Sequence, residues 1–308
     1  SSTHHILAKF HAGLDGALAA HRILSKHPED AETYVTGLLA EELAAVLETS
    51  GVGASHANTK VLKDWVNDLK AKGFPFHAAD GQKQGVDETA ALELLKLGVG
   101  GHGNWASATD PQIARKAYAD AAARIFYKSG VEADQANLEF SCMAALKREA
   151  YGSSSLPTGW LPTLTLGSVI ADVSNPEMIY ACIQPVCDAV RIPDKRRFPL
   201  VPLIENGTSF SIVLRRQDQS MSRLEPDHRP YNIQHIEFKA DSVSKTVRAM
   251  QKGASYLFNA DDGRRFEWLA DLKGFIALRL IQRSAGQVDR VGLDEFEWLR
   301  MKAKKISD

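Results

Sequence analysis

Tyr151-Gly152-Ser153-Ser154-Ser155-Leu156-Pro157-Thr158-Gly159 is the stretch on which the fold turns. Serine, glycine and proline at this density disfavour any regular element and mark a linker. The hydrophobic period differs on its two sides. Upstream, apolar residues recur at three- to four-residue steps: Phe10, Leu14, Leu18; Leu39, Leu43, Val46-Leu47; Leu62, Trp65-Val66, Leu69. That period predicts helices. Glu88 to Leu97 reads as another helix, closed by a glycine cluster. Asp110-Pro111 supplies an N-cap and a first-turn proline for the next, and Glu132 to Ala150 reads as the last helix before the linker.

Downstream the apolar runs are short and bounded by Pro, Gly and Asn. Thr163–Ile170, Met178–Ile183, Leu200–Ile204, Ser209–Leu214 and Ile233–Phe238 read as strands. This many short strands predicts a small barrel or curled antiparallel sheet. Val243–Lys252, Phe266–Gln282 and Leu293–Lys304 return to a helical period. The expected class is α+β: a helical domain over residues 1–152, then a β-rich, barrel-like domain with C-terminal helices over 158–308.

The totals narrow the function classes. A chain of 308 residues can bury a sizeable core. With 44% hydrophobic and 24% charged residues its composition is that of a globular protein. A net charge of −1 gives no bulk attraction to nucleic acid or membrane. No apolar run approaches the ~20 residues of a membrane span. Three cysteines, Cys142, Cys182 and Cys187, do not make a disulfide framework and fit a reducing cytoplasm. The opening Ser1-Ser2-Thr3-His4-His5 carries no initiator Met and no signal-peptide pattern, so the expectation is a start inside a longer protein.

Several clusters could carry chemistry. Gly98, Gly100 and Gly103 match a dinucleotide spacing literally, but a helix precedes them where that motif needs a strand; they read as a helix end and loop. Asp227, Glu237 and Lys239 have the outline of a PD-(D/E)xK nuclease, with two carboxylates for a divalent ion and a lysine for the phosphate or the attacking water. Against that outline, Asp227 sits in a turn-like Glu225-Pro226-Asp227-His228-Arg229-Pro230. Ile236 and Phe238 alternate with Glu237 and Lys239 as in a plain half-buried strand. His4, His11 and Asp15 share one face of the first helix and are weak candidates for a metal. The plainer reading of that face is a polar or subunit-facing stripe.

Cys182 and Cys187 are spaced too widely for a zinc pair and lack a second pair of ligands. Cys182 reads as a small core residue. Cys187, Asp188 and Arg191 fall at a strand end and are candidates for binding a ligand or partner, with Asp188 and Arg191 able to pair. Trp268 and Trp298 lie at helical spacing with other aromatics and read as core or subunit interface. From Leu293 onward a helix is expected, with Asp294 and Glu295 in its first turn and its aromatic face packed against Phe266–Leu280.

Two blocks carry a resemblance. One is Tyr180-Ala181-Cys182-Ile183-Gln184-Pro185-Val186-Cys187-Asp188, continued by Phe198–Leu203. The other is Arg290-Val291-Gly292-Leu293-Asp294-Glu295-Phe296-Glu297-Trp298-Leu299-Arg300. Together with Leu166–Ile170 and Phe10–Ala17, they resemble the C-terminal region of bacterial receiver-domain, response-regulator-like proteins. Those proteins occur with GHKL-type ATPases or histidine kinases in two-component or phage-defence settings. The resemblance implies a non-enzymatic output or partner-binding module in the cytoplasm. It implies a kinase or ATPase of the same system as protein partner, a possible homo-oligomer, no cofactor, no membrane and no nucleic acid. The chain departs from that family in having no phosphoacceptor receiver, and the family attaches no catalytic residue to this region. A metal-dependent nuclease and a small-ligand sensor with its pocket in the β-rich domain stand as the alternatives.

Overall fold

The computed structural model describes residues 31–51, 58–72, 88–101, 129–152, 156–207 and 209–288, with a few isolated positions besides. Backbone contacts group the chain into two compact units, Ser1–Ala133 and Asp134–Asp308.

The described part of the first unit is helical: α1 (Ala31–Thr49), α2 (Thr59–Ala71) and α3 (Glu88–Gly101). Asn58 starts α2, its side chain accepting the Val61 N–H at 3.0 Å, which satisfies one of the orphan donors of the first turn. α2 packs on α3; Val66 and Ala91 are buried. Gly98 takes φ +64° and interrupts α3 at the expected glycine cluster.

The second unit is a curled antiparallel sheet backed by two helices. α4 (Gly130–Ala145) leads into β1 (Leu146–Glu149), β2 (Ser168–Asp172), β3 (Asn175–Cys182), β4 (Lys195–Glu205), β5 (Ile212–Arg215), β6 (Met221–Pro226), β7 (Gln234–Lys239), β8 (Met250–Lys252), β9 (Ser255–Asn259), β10 (Arg265–Leu272) and α5 (Gly274–Val288). Strand order is β5-β6-β4-β3-β2-β10-β9-β8, with β1 added beside β10 and β7 beside β4. The sheet forms a half-barrel. Its lips approach where Phe238 bridges Ala260 and the Asp261 N–H bonds the Glu237 carbonyl at 2.8 Å.

Both faces of the central strands are buried, and the period of two sorts their side chains. Ile170, Tyr180, Cys182, Phe198, Leu200, Ile236, Phe238, Phe258, Phe266 and Trp268 fill the inside of the curl. Val169, Ala171, Ile179, Ala181 and Leu203 face outward, where Leu138 and Cys142 of α4 and Ala277 and Leu280 of α5 cover them. β10 changes sides part-way. A bulge between Trp268 and Ala270 inserts Leu269, so Phe266 and Trp268 point inward while Ala270 and Leu272 point outward. Gly167 opens β2 at φ +86°, and a Cβ there would lie 3.0 Å from that of Ala277, so α5 can cross closely only over glycine.

Three expected helices are corrected. The helix read over Glu132–Ala150 stops at Ala145, because Leu146–Glu149 pair with β10. Phe266–Gln282 divides at Lys273 into a strand and a helix. Val243–Lys252 is a turn followed by β8: the Asp241 carboxylate accepts the N–H groups of Val243 and Ser244 at 3.1 and 2.7 Å, and Lys245 takes φ +53°. The helix expected from Leu293 lies outside the described residues. Among the described residues no helix is long and apolar enough to cross a membrane.

Candidate functional site

The nuclease outline does not assemble. Asp227 follows β6, and its carboxylate accepts Arg229 Nε at 2.7 Å and Asn232 Nδ2 at 2.6 Å. The Arg229 guanidinium holds this carboxyl well below the usual carboxylate range. Glu237 stands opposite Arg197 in the register of β4 and β7 and pairs with it at 3.9 Å. The Asp227 N–H bonds instead to the Pro202 carbonyl, five residues further along β4. At ~3.3 Å per residue that is a separation of roughly 17 Å, against the ~4–5 Å of two carboxylates on one ion. Lys239 points outward and pairs with Asp194 at 4.0 Å. Among the described residues no group of three or more His, Cys, Asp or Glu could hold a metal ion.

Cys187 and Asp188 lie on an exposed 3-10 turn, Val186–Asp188. Asp188 takes Arg196 of β4: its carboxylate lies 3.7 Å from the guanidinium, and its backbone carbonyl accepts a hydrogen bond from the same group. Arg191 takes a left-handed φ of +53°. Cys182 sits inside the curl, where burial pushes its thiol up to about 12, so the two cysteines occupy opposite environments. His4, His11 and Asp15 lie outside the described residues.

The sensor reading placed a pocket in the β-rich domain. The inside of the curl is occupied by packed aromatic rings: Phe198 meets Phe238 at 5.8 Å, Phe238 meets Phe266 at 5.8 Å, and Trp268 meets Trp160 at 5.4 Å. His228 Nδ1 lies 3.0 Å from Ser284 Oγ, a Ser–His contact in outline. Ser284 is buried and Asp227 is turned to Arg229, so the pair is a tie between the loop and α5.

The outer face offers more. A cleft of about 580 Å³ opens between α4, β1 and β5. Arg215, the last residue of β5, lies between two carboxylates. Its NH2 meets Glu139 of α4 at 2.5 Å and its Nε faces Glu149 of β1 at 3.8 Å. Arg215 lowers the pKa of Glu139, whereas burial raises that of Glu149. Cys142 donates its thiol to the Val213 carbonyl at 3.3 Å, and burial pushes it up to about 11. It is a neutral packing group there, not a nucleophile. Lys147, Arg148 and Lys273 join Arg215 in the lining, four cations against the two carboxylates, so the cleft favours an anion.

Beside this cleft α4 exposes Phe140 and Met143, each 63% accessible, and α5 exposes Phe275 at 58% and Leu278 at 54%. Each pair is three residues apart and so shares a helix face. Lys273 fastens the end of α4 to the start of α5: its N–H bonds the Ala145 carbonyl at 2.8 Å and its Nζ the Met143 carbonyl at 2.5 Å. The two apolar pairs therefore flank one junction. A second cleft, of about 590 Å³, is acidic, with Glu177, Glu205, Asp218 and Glu267 in its lining. There the Tyr151 hydroxyl donates to Glu267 at 2.6 Å.

Comparison with protein-family models, with curated proteins and with solved structures finds no match to this chain.

Proposed function

We propose that this chain is a non-enzymatic partner-binding module of a bacterial signalling or phage-defence system, which docks a kinase or ATPase of that system through its α4–α5 face. The observation that carries the reading is the pair of exposed apolar strips, Phe140–Met143 and Phe275–Leu278, around a cationic cleft. Apolar residues gathered at one place and rimmed by charge mark interaction surfaces more often than scattered ones do. A partner that seats apolar anchors here and presents carboxylates to Lys147, Arg148 and Lys273 fits the face in both shape and charge. In this reading the two units, Ser1–Ala133 and Asp134–Asp308, are separate modules of one cytoplasmic protein, and the docking face belongs to the second. The resemblance of Tyr180–Asp188 and Arg290–Arg300 to receiver-domain proteins supplies the class of partner.

The test is a binding measurement with a purified histidine kinase or GHKL-type ATPase, the class of partner that the reading names. Phe140→Asp combined with Met143→Asp is expected to weaken binding about 100-fold, since each buried anchor contributes ~1.5–3 kcal/mol and tenfold is 1.4 kcal/mol. Stability should change by no more than ~0.5 kcal/mol, as for other surface substitutions. Unchanged affinity in the double variant would refute the docking face.

A further inference from the structure

The loop from β6 to β7 lies against the C-terminal half of α5, and a histidine fastens it there. The loop carries Asp227, His228, Arg229 and the 3-10 turn Pro230–Asn232, which packs on α5. Its link to the helix is the His228 Nδ1 contact with Ser284 Oγ at 3.0 Å. The other ring nitrogen, Nε2, is buried and meets no hydrogen-bond partner among the described residues. The neutral ring can carry its proton on Nδ1, donated to Ser284, and leave Nε2 without one. An imidazolium carries a proton on both nitrogens, so Nε2 becomes a buried cationic donor with nothing to receive it. Three charged groups face the ring: Glu225 from β6, Asp227 from the loop and Arg283 from α5. The two carboxylates favour the cation, but both are matched elsewhere: Glu225 lies 3.9 Å from Arg283, and Asp227 is held by Arg229 and Asn232. Burial, with the Arg283 guanidinium beside it, holds the ring below the usual histidine range.

We infer that the His228–Ser284 contact is an acid-sensitive latch: protonation of the imidazole releases the loop Asp227–Ile233 from the C-terminal half of α5. The sign follows from proton linkage. The latched state excludes the proton, whereas in the released loop the solvated ring takes it up near pH ~6.5. The latch is therefore whole above pH ~6.5 and weakens as pH falls below it. Each pH unit shifts the balance toward the released loop by up to about tenfold, until the ring protonates in place. α5 also carries Phe275 and Leu278. A weaker hold on a partner in acid is thus the one consequence that rests on the proposed docking face; the latch itself involves no partner.

The test is hydrogen exchange on the full chain at about pH 7.5 and about pH 5.5, each rate divided by its intrinsic value at that pH. The reporters are the N–H groups of Asn232 and Ile233, which bond the Arg229 and Pro230 carbonyls at 2.9 and 3.3 Å. A single turn does not persist by itself, so both amides exchange when the loop leaves α5. In the wild type their corrected exchange is expected to rise by up to about tenfold at the lower pH. His228→Gln keeps a polar group for Ser284 and cannot titrate, so its exchange should be equal at the two pH values. Ser284→Ala should exchange fast at both. A wild-type rate that does not change, or the same rise in His228→Gln, would overturn the inference. NMR titration of the His228 ring in the wild type is a second reading that depends on no variant: a midpoint below ~6.5 is expected, and one at or above it would also overturn the latch. Neither failure bears on the kinase-binding measurement at neutral pH, which judges the docking face alone.

Discussion

Trp268→Ala is expected to remove about 3–5 kcal/mol of stability, a large share of the ~5–15 kcal/mol that holds a domain together. Trp268 is fully buried and stands at the bulge where β10 changes sides. Its ring meets Trp160 and Tyr256 edge-on at 5.4 and 5.8 Å. Its indole N–H donates to Asp271 Oδ1 at 3.1 Å. Truncation leaves a cavity and also takes a donor from a buried carboxylate whose pKa burial already raises. Chemical denaturation should show the midpoint falling steeply. Trp268→Phe should recover part of the loss, because the ring contacts survive while the hydrogen bond does not. A loss below ~1 kcal/mol for the alanine variant would contradict this account of the core.

Arg215→Met is the second large effect, expected at about 2–4 kcal/mol at neutral pH. Removing the cation from a buried ion pair costs up to ~3–5 kcal/mol, and the figure is discounted here because the Glu139 side chain is 46% exposed, although those of Arg215 and Glu149 are 13% and 19%. Glu149 would lose the nearby charge that opposes its desolvation, so its carboxyl would rise further above the unfolded value. A raised carboxylate disfavours the fold where it must stay ionised. The penalty is therefore fullest above its folded pKa and shrinks as pH falls and the folded state takes up the proton. Glu139 has the opposite sign: Arg215 depresses it, and that stabilising contribution is present above its unfolded value and lost toward acid. Both terms make the gap between wild type and variant close on acidification. Melting temperatures taken from pH 7 down to pH 4 should converge. A gap that widens toward acid would overturn the assignment.

How much of this was legible in the sequence follows from what each element buries. β3 and β4 could be read because their apolar runs are bounded by Pro and Asn, and their inward residues, Tyr180, Cys182, Phe198 and Leu200, keep a period of two. β10 could not: buried on both faces and bulged at Leu269, its Phe266-Glu267-Trp268-Leu269 spacing imitates a helix and merges with the true helical period of α5. β1 was hidden for a related reason. Leu146–Glu149 continues α4 without a Gly or Pro, and only its pairing with β10 makes it a strand. The candidate site was out of reach altogether. Glu139, Glu149 and Arg215 come from three separate elements, with 76 residues between Glu139 and Arg215, and no local spacing announces that they meet. Asp227 and Glu237, close in sequence and chemically suggestive, are instead spread along β4 by the register of β6 and β7. Phe140 and Met143 carry a weak signal, as apolar residues on the helix face opposite Leu138 and Cys142. A helix that is apolar on two sides has a second surface to cover.

That second surface is the central claim, and hydrogen–deuterium exchange on the full chain tests it most directly. The measurement compares the chain alone with the chain saturated by a histidine kinase or GHKL-type ATPase, the class of partner proposed above. Added protection is predicted in the peptides of α4 and α5, Gly130–Ala145 and Gly274–Val288, with exchange in the strands inside the curl unchanged. Protection confined to the charged β4–β7 face or to the turn at Cys187, with α4 and α5 unaffected, would contradict it.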